Sequence, residues 1–314
     1  MKQLKAVYFG TPDFSVPALE MLDKHPQIEL IGVVSMPDRP SGRGHKLRSP
    51  EVVEYAKTSK IPVYQTENIN REPQWLEEFK NQNVDVFIVL AFAQFLSQKV
   101  LDIPRLGCFN IHTSLLPKYR GAAPIQYALL NGDQSTGVSI QRMVKKMDAG
   151  DIAWSSPVEI SRNETGGQLY TKLKFQAALS LNDFINAALN EELSFTEQDE
   201  SEVSFAPTLK KEDGALKFRD STYDELHNQI RALDPWPGTF CFLNNKRLKV
   251  FSIEEIKHIP LEPGEVSSKN GLYIGCKGSV VRLSQIQLEG KKRGSDKDLL
   301  NGLKDKIVIT SEIL

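Results

Sequence analysis

The amino-acid sequence predicts an α/β protein with two domains, a mostly parallel sheet domain followed by a smaller β-rich domain that closes as a barrel. Three observations support this architecture. Strand-like and helix-like segments alternate over residues 1–189, an acidic linker without periodicity covers residues 190–205, and short alternating segments fill residues 206–314. The length of 314 residues also suffices for two hydrophobic cores.

The first domain is predicted to begin with a strand, a helix and a second strand. Residues 4–9 are apolar and stop at a Gly-Thr-Pro-Asp turn, residues 16–24 have helical character, and residues 28–34 are again apolar and β-branched. This order and spacing predict a right-handed crossover between parallel strands. The turn after the first strand is not G-x-G-x-x-G, so the fingerprint of the nicotinamide oxidoreductases is absent.

The remaining elements of this domain follow from segment length and periodicity. Residues 84–93 form the most apolar segment, which predicts a central strand covered on both faces. Residues 169–189 repeat apolar side chains every four positions, which predicts a long amphipathic helix. Further helices are predicted at residues 51–59 and 73–81, and further strands at residues 61–64, 109–112, 137–144 and 152–160.

The second domain is predicted to contain one helix and several short strands. A capping box at residues 222–225, Thr-Tyr-Asp-Glu, opens the helix, which ends near residues 234–238, Asp-Pro-Trp-Pro-Gly. Asn244 and Asn245 are a hairpin signal between the first two strands. The strands are predicted at residues 239–243, 247–253, 264–268, 271–274, 279–286 and 306–309.

The charge distribution is more informative than the net charge of -1. Six acidic residues and no lysine or arginine lie in residues 191–205. The parts of the chain on either side are therefore each slightly basic. This pattern permits a polyanionic partner without requiring one.

The three cysteines, Cys108, Cys241 and Cys276, are far apart, and no CxxC motif or Cys/His cluster exists. We therefore expect neither a disulfide framework nor a metal site. No apolar segment approaches the roughly 18 residues of a membrane span, and a strand begins too early for a signal peptide. The expectation is a cytoplasmic protein, and nothing demands more than a monomer.

Residues 35–50 combine basic side chains with prolines and glycines and lack apolar periodicity, which predicts a protruding, partly mobile loop. The segment could be a solvated surface loop, or its cations could contact phosphates. Its position favours the second interpretation, because it leaves the carboxyl end of a parallel strand, where open α/β sheets build their sites. The basic side chains are Arg39, Arg43, Lys46 and Arg48.

The candidate reaction centre lies at the end of the strand predicted at residues 109–112. Asn110 and His112 are two positions apart, so both side chains point to one face of that strand. Asp148, in a predicted tight loop, is the candidate third member, and Asp151 competes with it for the acidic role. The neighbouring Ser114 is an alternative nucleophile, but it lacks the G-x-S-x-G elbow.

These residue types suit addition to a carbonyl group without an enzyme nucleophile. An imidazole can accept and return a proton near neutral pH, and a nearby carboxylate orients it and stabilises its charged form. A primary amide offers N–H donors to an oxygen that gains negative charge. Structural roles stay open at this point, because Asn110 could be a turn residue and Asp148 could form an ordinary Asx-turn. For the other four histidines we expect structural or exposed positions, and for Cys108 we expect a small buried apolar side chain.

Two segments resemble the signature of the folate-dependent formyltransferases. They are residues 110–126, Asn-Ile-His-Thr-Ser-Leu-Leu-Pro-Lys-Tyr-Arg-Gly-Ala-Ala-Pro-Ile-Gln, and residues 147–152, Met-Asp-Ala-Gly-Asp-Ile. Four more resemble the branch of that family that acts on tRNA. They are residues 9–14 (Phe-Gly-Thr-Pro-Asp-Phe), 37–44 (Pro-Asp-Arg-Pro-Ser-Gly-Arg-Gly), 231–237 (Arg-Ala-Leu-Asp-Pro-Trp-Pro) and 299–302 (Leu-Leu-Asn-Gly).

The resemblance implies a Rossmann-like sheet domain followed by an OB-like β-barrel. It implies formyl transfer from 10-formyltetrahydrofolate to the α-amino group of methionyl initiator tRNA, without a metal. By position, the catalytic residues would be Asn110, His112 and Asp148, and the folate would contact Ser114, Leu115, Leu116 and Pro117. The resemblance and the positive charge together give the expected tRNA contacts as Arg43, Lys46, Arg48, Lys291, Lys292 and Arg293.

The sequence departs from the family pattern at the edge of the expected folate site. Thr113 follows the histidine where the family has a small residue, and Phe92 and Ala93 stand where the family has Tyr and Gly. The alternatives are another amine acceptor, such as an amino sugar nucleotide or a glycinamide ribonucleotide, hydrolysis of the folate, or a non-catalytic RNA-binding protein. The basic loop and the barrel favour tRNA, and the intact Asn/His/Asp set favours catalysis.

Overall fold

The computed structural model describes residues 3–41, 46–302 and 307–310. The chain divides into two compact units. The first unit comprises residues 1–124, 135–159 and 170–206, and the second comprises residues 125–134, 160–169 and 207–314. No helix among the described residues is both long and apolar enough to span a bilayer.

Eleven strands lie among the described residues of the first unit. Their bounds are β1 (Leu4–Gly10), β2 (Ile28–Ser35), β3 (Arg39–Ser41), β4 (Lys46–Arg48), β5 (Val63–Gln65), β6 (Val86–Leu90), β7 (Gly107–His112), β8 (Arg120–Gly121), β9 (Ser135–Arg142), β10 (Ile152–Glu159) and β11 (Phe205–Ala206). Four of the described helices lie wholly in this unit, α1 (Val16–Lys24), α2 (Glu51–Thr58), α3 (Pro73–Asn81) and α4 (Gln98–Leu101). Two further helices, α5 (Pro124–Leu130) and α6 (Gly166–Leu189), have residues in both units.

Seven of these strands form one sheet in the order β10-β9-β7-β6-β1-β2-β5. Strands β5, β2, β1, β6 and β7 are parallel, and β9 and β10 are antiparallel at one edge. The predicted mostly parallel, Rossmann-like sheet is therefore confirmed. The strand order reverses between β1 and β6, and such a reversal opens a crevice at the carboxyl ends of the strands.

The core of this unit follows the predicted apolar segments. Every residue of β6 is buried, as expected for a central strand with helices on both faces. The Phe87 ring of this strand lies 5.0 Å from Phe9 and 5.8 Å from Phe79, measured between ring centroids. Cys108 is buried in the same cluster, as predicted, and burial raises the pKa of its thiol far above the ordinary value.

Part of the basic loop has regular structure that the sequence did not indicate. Strands β3 and β4 pair in antiparallel fashion, with Arg39 opposite Arg48 and Pro40 opposite Leu47. Each strand has three residues, which is too short for a visible alternating pattern. Arg43, the expected tRNA contact between the two strands, lies outside the described residues.

The segment predicted as an acidic linker lies against the first unit. Thr196 forms an antiparallel bridge with Ile152, and β11 pairs with β8. Gln198 is only 6% exposed. These contacts place residues 190–206 alongside the loops that follow the carboxyl ends of the sheet strands.

The second unit is built on an antiparallel sheet that closes nearly into a barrel, as predicted. The sheet order is β14-β15-β16-β13-β12-β18, and β17 pairs with β16. The strands are β12 (Thr239–Leu243), β13 (Lys246–Ile256), β14 (Val266–Ser267), β15 (Tyr273–Cys276), β16 (Ser279–Leu288), β17 (Gly294–Ser295) and β18 (Ile309–Thr310). Two helices, α7 (Tyr223–Ala232) and α8 (Asp296–Asn301), accompany them.

Local signals in the sequence set two features of this unit. The predicted capping box is present, because the Glu225 N–H donates to the Thr222 hydroxyl and the Thr222 N–H donates to the Glu225 carboxylate. Asn244 and Asn245 both have positive φ, 47° and 63°, as the predicted tight hairpin between β12 and β13 requires.

A buried ion pair joins β16 to α8. The Asp296 side chain is 0% exposed and accepts two hydrogen bonds of 2.9 Å from the Arg282 guanidinium. The Leu272 N–H donates a third bond of 2.9 Å to the same carboxylate. Burial opposes the ionisation of Asp296, but Arg282 and this N–H hold the pKa of the carboxyl below its ordinary value.

Replacement Asp296→Ala should lower the free energy of unfolding of the barrel by about 3 kcal/mol at pH 7, because Arg282 then loses its buried partner. Because the pKa of Asp296 is lower in the folded protein, its ionised form stabilises the fold above the pKa of the unfolded chain, about 3.9. This stabilisation is lost as the pH falls through the pKa of the folded protein. The difference from the unaltered protein should therefore be constant above about pH 5 and shrink below about pH 4. Urea unfolding of the two proteins measures it.

Glu254→Ala is the matched control, because Glu254 is the exposed partner of Arg282 at 3.4 Å and is 53% exposed. Its removal should cost about 0.5 kcal/mol or less. Equal losses for the two variants, or a loss for Asp296→Ala that does not change with pH, would contradict the stabilising role of the buried pair.

Candidate active site

Asn110 and His112 lie at the carboxyl end of β7, beside the end of β6. In the antiparallel pair with β9, Asn110 is opposite Gln141 and His112 is opposite Ser139. Directly opposed residues point to the same face of a sheet, so these four side chains share one face. His112 is 6% exposed, whereas Asn110 is partly buried.

Asp148 completes the predicted set, and Asp151 does not. Asp148 Oδ1 accepts hydrogen bonds from Gln141 Nε2 at 2.9 Å and from Asn110 Nδ2 at 3.4 Å. Its other oxygen, Oδ2, accepts from the Gly121 N–H at 2.9 Å and lies 3.8 Å from His112 Nδ1. The Asp151 side chain is exposed.

The contacts of the imidazole ring define which nitrogen carries the proton. His112 Nε2 lies 2.8 Å from the carbonyl oxygen of Tyr119. A carbonyl oxygen can only accept, so Nε2 must be the protonated nitrogen. In the neutral ring the lone pair is then on Nδ1, which faces Asp148. Nδ1 lies 3.8 Å from the carboxylate Oδ2 of Asp148, whose side chain is only 12% exposed.

The loop after β7 contains the residues expected to contact the folate. The Ser114 hydroxyl is buried and donates to the Lys118 carbonyl at 2.6 Å, so it closes its own turn and is not poised as a nucleophile. Leu116 is buried, and the Leu116–Pro117 bond is cis. Leu115 and Pro117 are partly exposed, which leaves apolar surface at this end of the sheet.

The departures from the family pattern have structural counterparts in the segment after β6. Phe92 is 1% exposed and packs edge-on against Phe9 at 5.3 Å, so the position lies in the core. Ala91 and Ala93 have positive φ values of 50° and 61°. Such conformations favour glycine, so Ala93 adopts here the backbone that a glycine would adopt with less strain.

Three polar residues near the site were not among those predicted from the sequence. They are Gln141 and Gln198, which bind Asp148, and Arg120, which binds Gln198. Gln141 could have been found, because the alternating strand pattern places it two positions from Ser139 on the same face. Arg120 and Gln198 gave no usable signal. Arg120 is 1% exposed, which is rare for a charged residue, and Gln198 sits in an acidic segment without periodicity.

Several basic residues of the barrel lie near the start of β13 and the end of β16. The Glu289 N–H donates to the Arg247 carbonyl at 2.9 Å, which places the turn after β16 beside the start of β13. Lys291, Lys292 and Arg293 in this turn are exposed. The Arg293 guanidinium lies 4.2 Å from the centre of the Phe251 ring, and Arg247 lies 3.7 Å from that of Phe240.

The other residues singled out by the sequence are two further expected tRNA contacts and the four remaining histidines. Arg48 pairs with Glu51 at 3.1 Å on the surface, and nothing is described for the side chain of Lys46. His258 is exposed, His25 and His227 are partly buried, and His45 lies outside the described residues. Within the described ranges, no group of three His, Cys, Asp or Glu side chains is placed to hold a metal ion.

Comparisons with known proteins match both parts of the chain to formyl transferase domains. Residues 4–184 match the family described as formyl transferase, and residues 208–304 match the formyl transferase C-terminal domain. A methionyl-tRNA formyltransferase of Thermotoga neapolitana is 40% identical over 301 residues, covering 95% of each chain. Another from Geobacter metallireducens is 36% identical over 304 residues, covering 96% of each chain.

Solved structures share the fold at lower identity. An N-formyltransferase from Helicobacter canadensis, in complex with folinic acid and dTDP-3-aminofucose, matches with a TM-score of 0.67 at 20% identity over 90% of this chain and 99% of that chain. HypX from Aquifex aeolicus, in complex with tetrahydrofolic acid, matches with a TM-score of 0.60 at 14% identity over 98% of this chain and 49% of that chain.

The site geometry makes one prediction about the imidazole. In the neutral ring of His112 the proton should reside on Nε2, since the Tyr119 carbonyl can only accept. Long-range proton–nitrogen correlation spectra of the ¹⁵N-labelled protein distinguish the two tautomers. A protonated Nδ1 in the neutral ring would contradict the arrangement, and exposed His258 provides a reference for a ring without such contacts.

Proposed function

The chain belongs to the formyl transferase family, and on this basis we propose that it transfers a formyl group from 10-formyltetrahydrofolate to the α-amino group of methionyl initiator tRNA. The observation that carries the proposal is the cluster of Asn110, His112 and Asp148 at the end of β7. In a chain that is similar over nearly its full length to methionyl-tRNA formyltransferases, this cluster supplies the groups that the reaction needs.

We propose that Asn110 stabilises the charge that develops on the formyl oxygen as the amine attacks. A primary amide has two N–H donors, and in Asn110 one is directed at Asp148 Oδ1 at 3.4 Å. The other is available for a substrate oxygen. A positioned donor of this kind contributes about a 100-fold to 1000-fold acceleration, because it is most effective when the oxygen becomes negative.

The proposed role of His112 is proton transfer. Its Nδ1 takes up the proton that the attacking amine loses and returns a proton to the leaving nitrogen of the folate. The carboxylate of Asp148, 3.8 Å from Nδ1, stabilises the imidazolium between these steps. Because all three groups come from neighbouring elements of one chain, a single copy can supply the whole set, and we propose that the enzyme acts as a monomer. Its charged tRNA substrate implies that it works in the cytoplasm.

The surroundings of the strand ends fit a flat co-substrate with apolar and polar edges. After β6, Ala91 and Ala93 are exposed and small, and Phe95 is 63% exposed. After β7, Leu115 and Pro117 present partly exposed apolar groups. Strands β6 and β7 are parallel neighbours, so both segments begin at the same edge of the sheet. We propose that residues 91–95 and 114–117 hold the folate there.

Two basic regions are the proposed tRNA contacts. In the first unit they are Lys46 and Arg48 of β4, and Arg43, which lies outside the described residues. In the second unit they are Lys291, Lys292 and Arg293, which share one end of the barrel with Lys246 and Arg247. Phosphate contacts from such residues position a nucleic acid and make its binding depend on salt.

Formylation of methionyl initiator tRNA tests the proposal directly. The protein, 10-formyltetrahydrofolate and the charged tRNA should give formyl-methionyl-tRNA at a rate that depends on both substrates. Alanine at His112 or at Asn110 should lower kcat by about 100-fold or more, because each replacement removes a group that acts as the barrier is crossed.

His258→Ala is the matched control and should keep the activity, since His258 is an exposed residue of the second unit. Release of formate without tRNA would instead indicate a hydrolase, and formylation of an amino sugar nucleotide or a glycinamide ribonucleotide alone would indicate a different acceptor. RNA binding with no formyl transfer under any condition would reject catalysis altogether.

A further inference from the structure

The turn that carries Asp148 has an unusual backbone conformation. Asp148 has a φ of 49°, in the left-handed region that residues other than glycine rarely adopt. The next-but-one residue, Gly150, packs so closely that an added Cβ would lie 1.7 Å from the Arg142 carbonyl oxygen. Conformations of this kind persist where surrounding contacts hold them in place.

Gln141 spans this turn with both ends of its amide. Its Nε2 donates to Asp148 Oδ1 at 2.9 Å, and its Oε1 accepts from the Gly150 N–H at 3.2 Å. The side chain is 2% exposed, so water does not compete for either bond. The orientation of the amide is thereby fixed, because exchanging its ends would place an oxygen against the carboxylate.

Gln198 spans the same turn on its carbonyl side. Its Nε2 lies 2.9 Å from the Asp148 carbonyl and 2.7 Å from the Gly150 carbonyl. Its two N–H groups match these two acceptors, while Gln141 Oε1 is more distant at 3.4 Å. Two glutamines therefore hold the backbone and the carboxylate of one turn.

A second layer fixes Gln198. The buried Arg120 guanidinium donates to Gln198 Oε1 from Nε at 3.1 Å and from Nη2 at 2.8 Å. Arg120 also pairs with Glu200 at 2.9 Å, and Glu200 pairs with Lys146, two positions before Asp148, at 2.7 Å. The Lys146 ammonium and the Arg120 guanidinium hold the pKa of Glu200 below its ordinary value, so the Glu200 carboxylate is charged at neutral pH.

We propose that Gln141 and Gln198 form a clamp across the Asp148–Gly150 turn and are positioning residues for formyl transfer. They act through Asp148 by keeping its Oδ2 directed at His112 Nδ1 and at the Gly121 N–H. An apolar residue at position 141 would remove one donor from the carboxylate and the acceptor of the Gly150 N–H. An apolar residue at position 198 would leave the Asp148 and Gly150 carbonyls without this donor. This inference rests on the proposed function, because it assigns the clamp to the same reaction.

The test replaces each glutamine by methionine, which has similar length and volume but no amide. Gln141→Met should lower kcat for formylation by about 10-fold to 100-fold and leave KM for both substrates within about twofold, since a bond to an ionised group is lost and no substrate contact is removed. Gln198→Met should act in the same direction. A kcat within about twofold of the unaltered enzyme for Gln141→Met would overturn the proposal.

Gln229→Met is the matched control, because Gln229 Nε2 also donates to two carbonyls, those of Asp213 at 2.7 Å and Ala215 at 3.2 Å, in the second unit. It should keep kcat within about twofold even though both hydrogen bonds of this amide are lost. If Gln229→Met and Gln141→Met lowered kcat equally, the effect would be general destabilisation and the positioning role would be rejected.

Hydrogen exchange separates this inference from the proposed function. In Gln141→Met, the amides of Gly121 and Gly150, which donate to Asp148 and to Gln141, should exchange about tenfold faster or more, while amides of β1 stay unchanged. Unchanged exchange at both glycines would overturn the clamp, whatever the activity. If the unaltered protein formylates no methionyl-tRNA, the proposed function fails, and the exchange result still decides whether the clamp exists.

Discussion

The carboxylate of Asp148 is the constraint on which the arrangement of the site depends. A charged group that is 12% exposed has lost most of its water and must be held by donors from the protein. Strands β7, β8 and β9 supply these donors through Asn110, Gly121 and Gln141. The register of β7 with β9 and the position of β8 are therefore requirements of the site as well as features of the fold.

Pairing between β8 and β11 links the acidic segment to the same carboxylate. The pairing of Phe205 with Arg120 and of Ala206 with Gly121 aligns residues 198–206 with the loop after β7. Gly121 cannot carry a side chain here, because a Cβ would lie 2.7 Å from the Ala206 carbonyl oxygen. A segment that looks like a solvated linker by composition thus packs against the site through two of its polar side chains, Gln198 and Glu200.

The parts of this structure that depend on local patterns could be predicted from the sequence. The spacing of Asn110 and His112, the capping box at Thr222 and the hairpin at Asn244 each arise from residues close in the chain, and the structure bears these out. The apolar segments likewise predicted the central position of β6.

Contacts between distant parts of the chain could not be predicted in this way. Gln198 meets Asp148 across 50 positions of the chain, and neither residue signals the other in the sequence. The choice between Asp148 and Asp151 was open for the same reason, because it depends on the turn and on Gly121. The pairing of β3 with β4 could not be predicted, because strands of three residues are too short to show an alternating pattern.

A single-turnover measurement of Asp148→Asn tests the central claim most directly. Asparagine keeps the shape of the side chain but removes its charge. It also replaces one of the two oxygens that accept from Gly121 and Gln141 by an NH2 group, which can only donate. With enzyme in excess over charged tRNA, the rate of formyl transfer should fall by about 100-fold or more while binding of both substrates is retained. A rate close to that of the unaltered enzyme would show that the carboxylate is not what the site depends on.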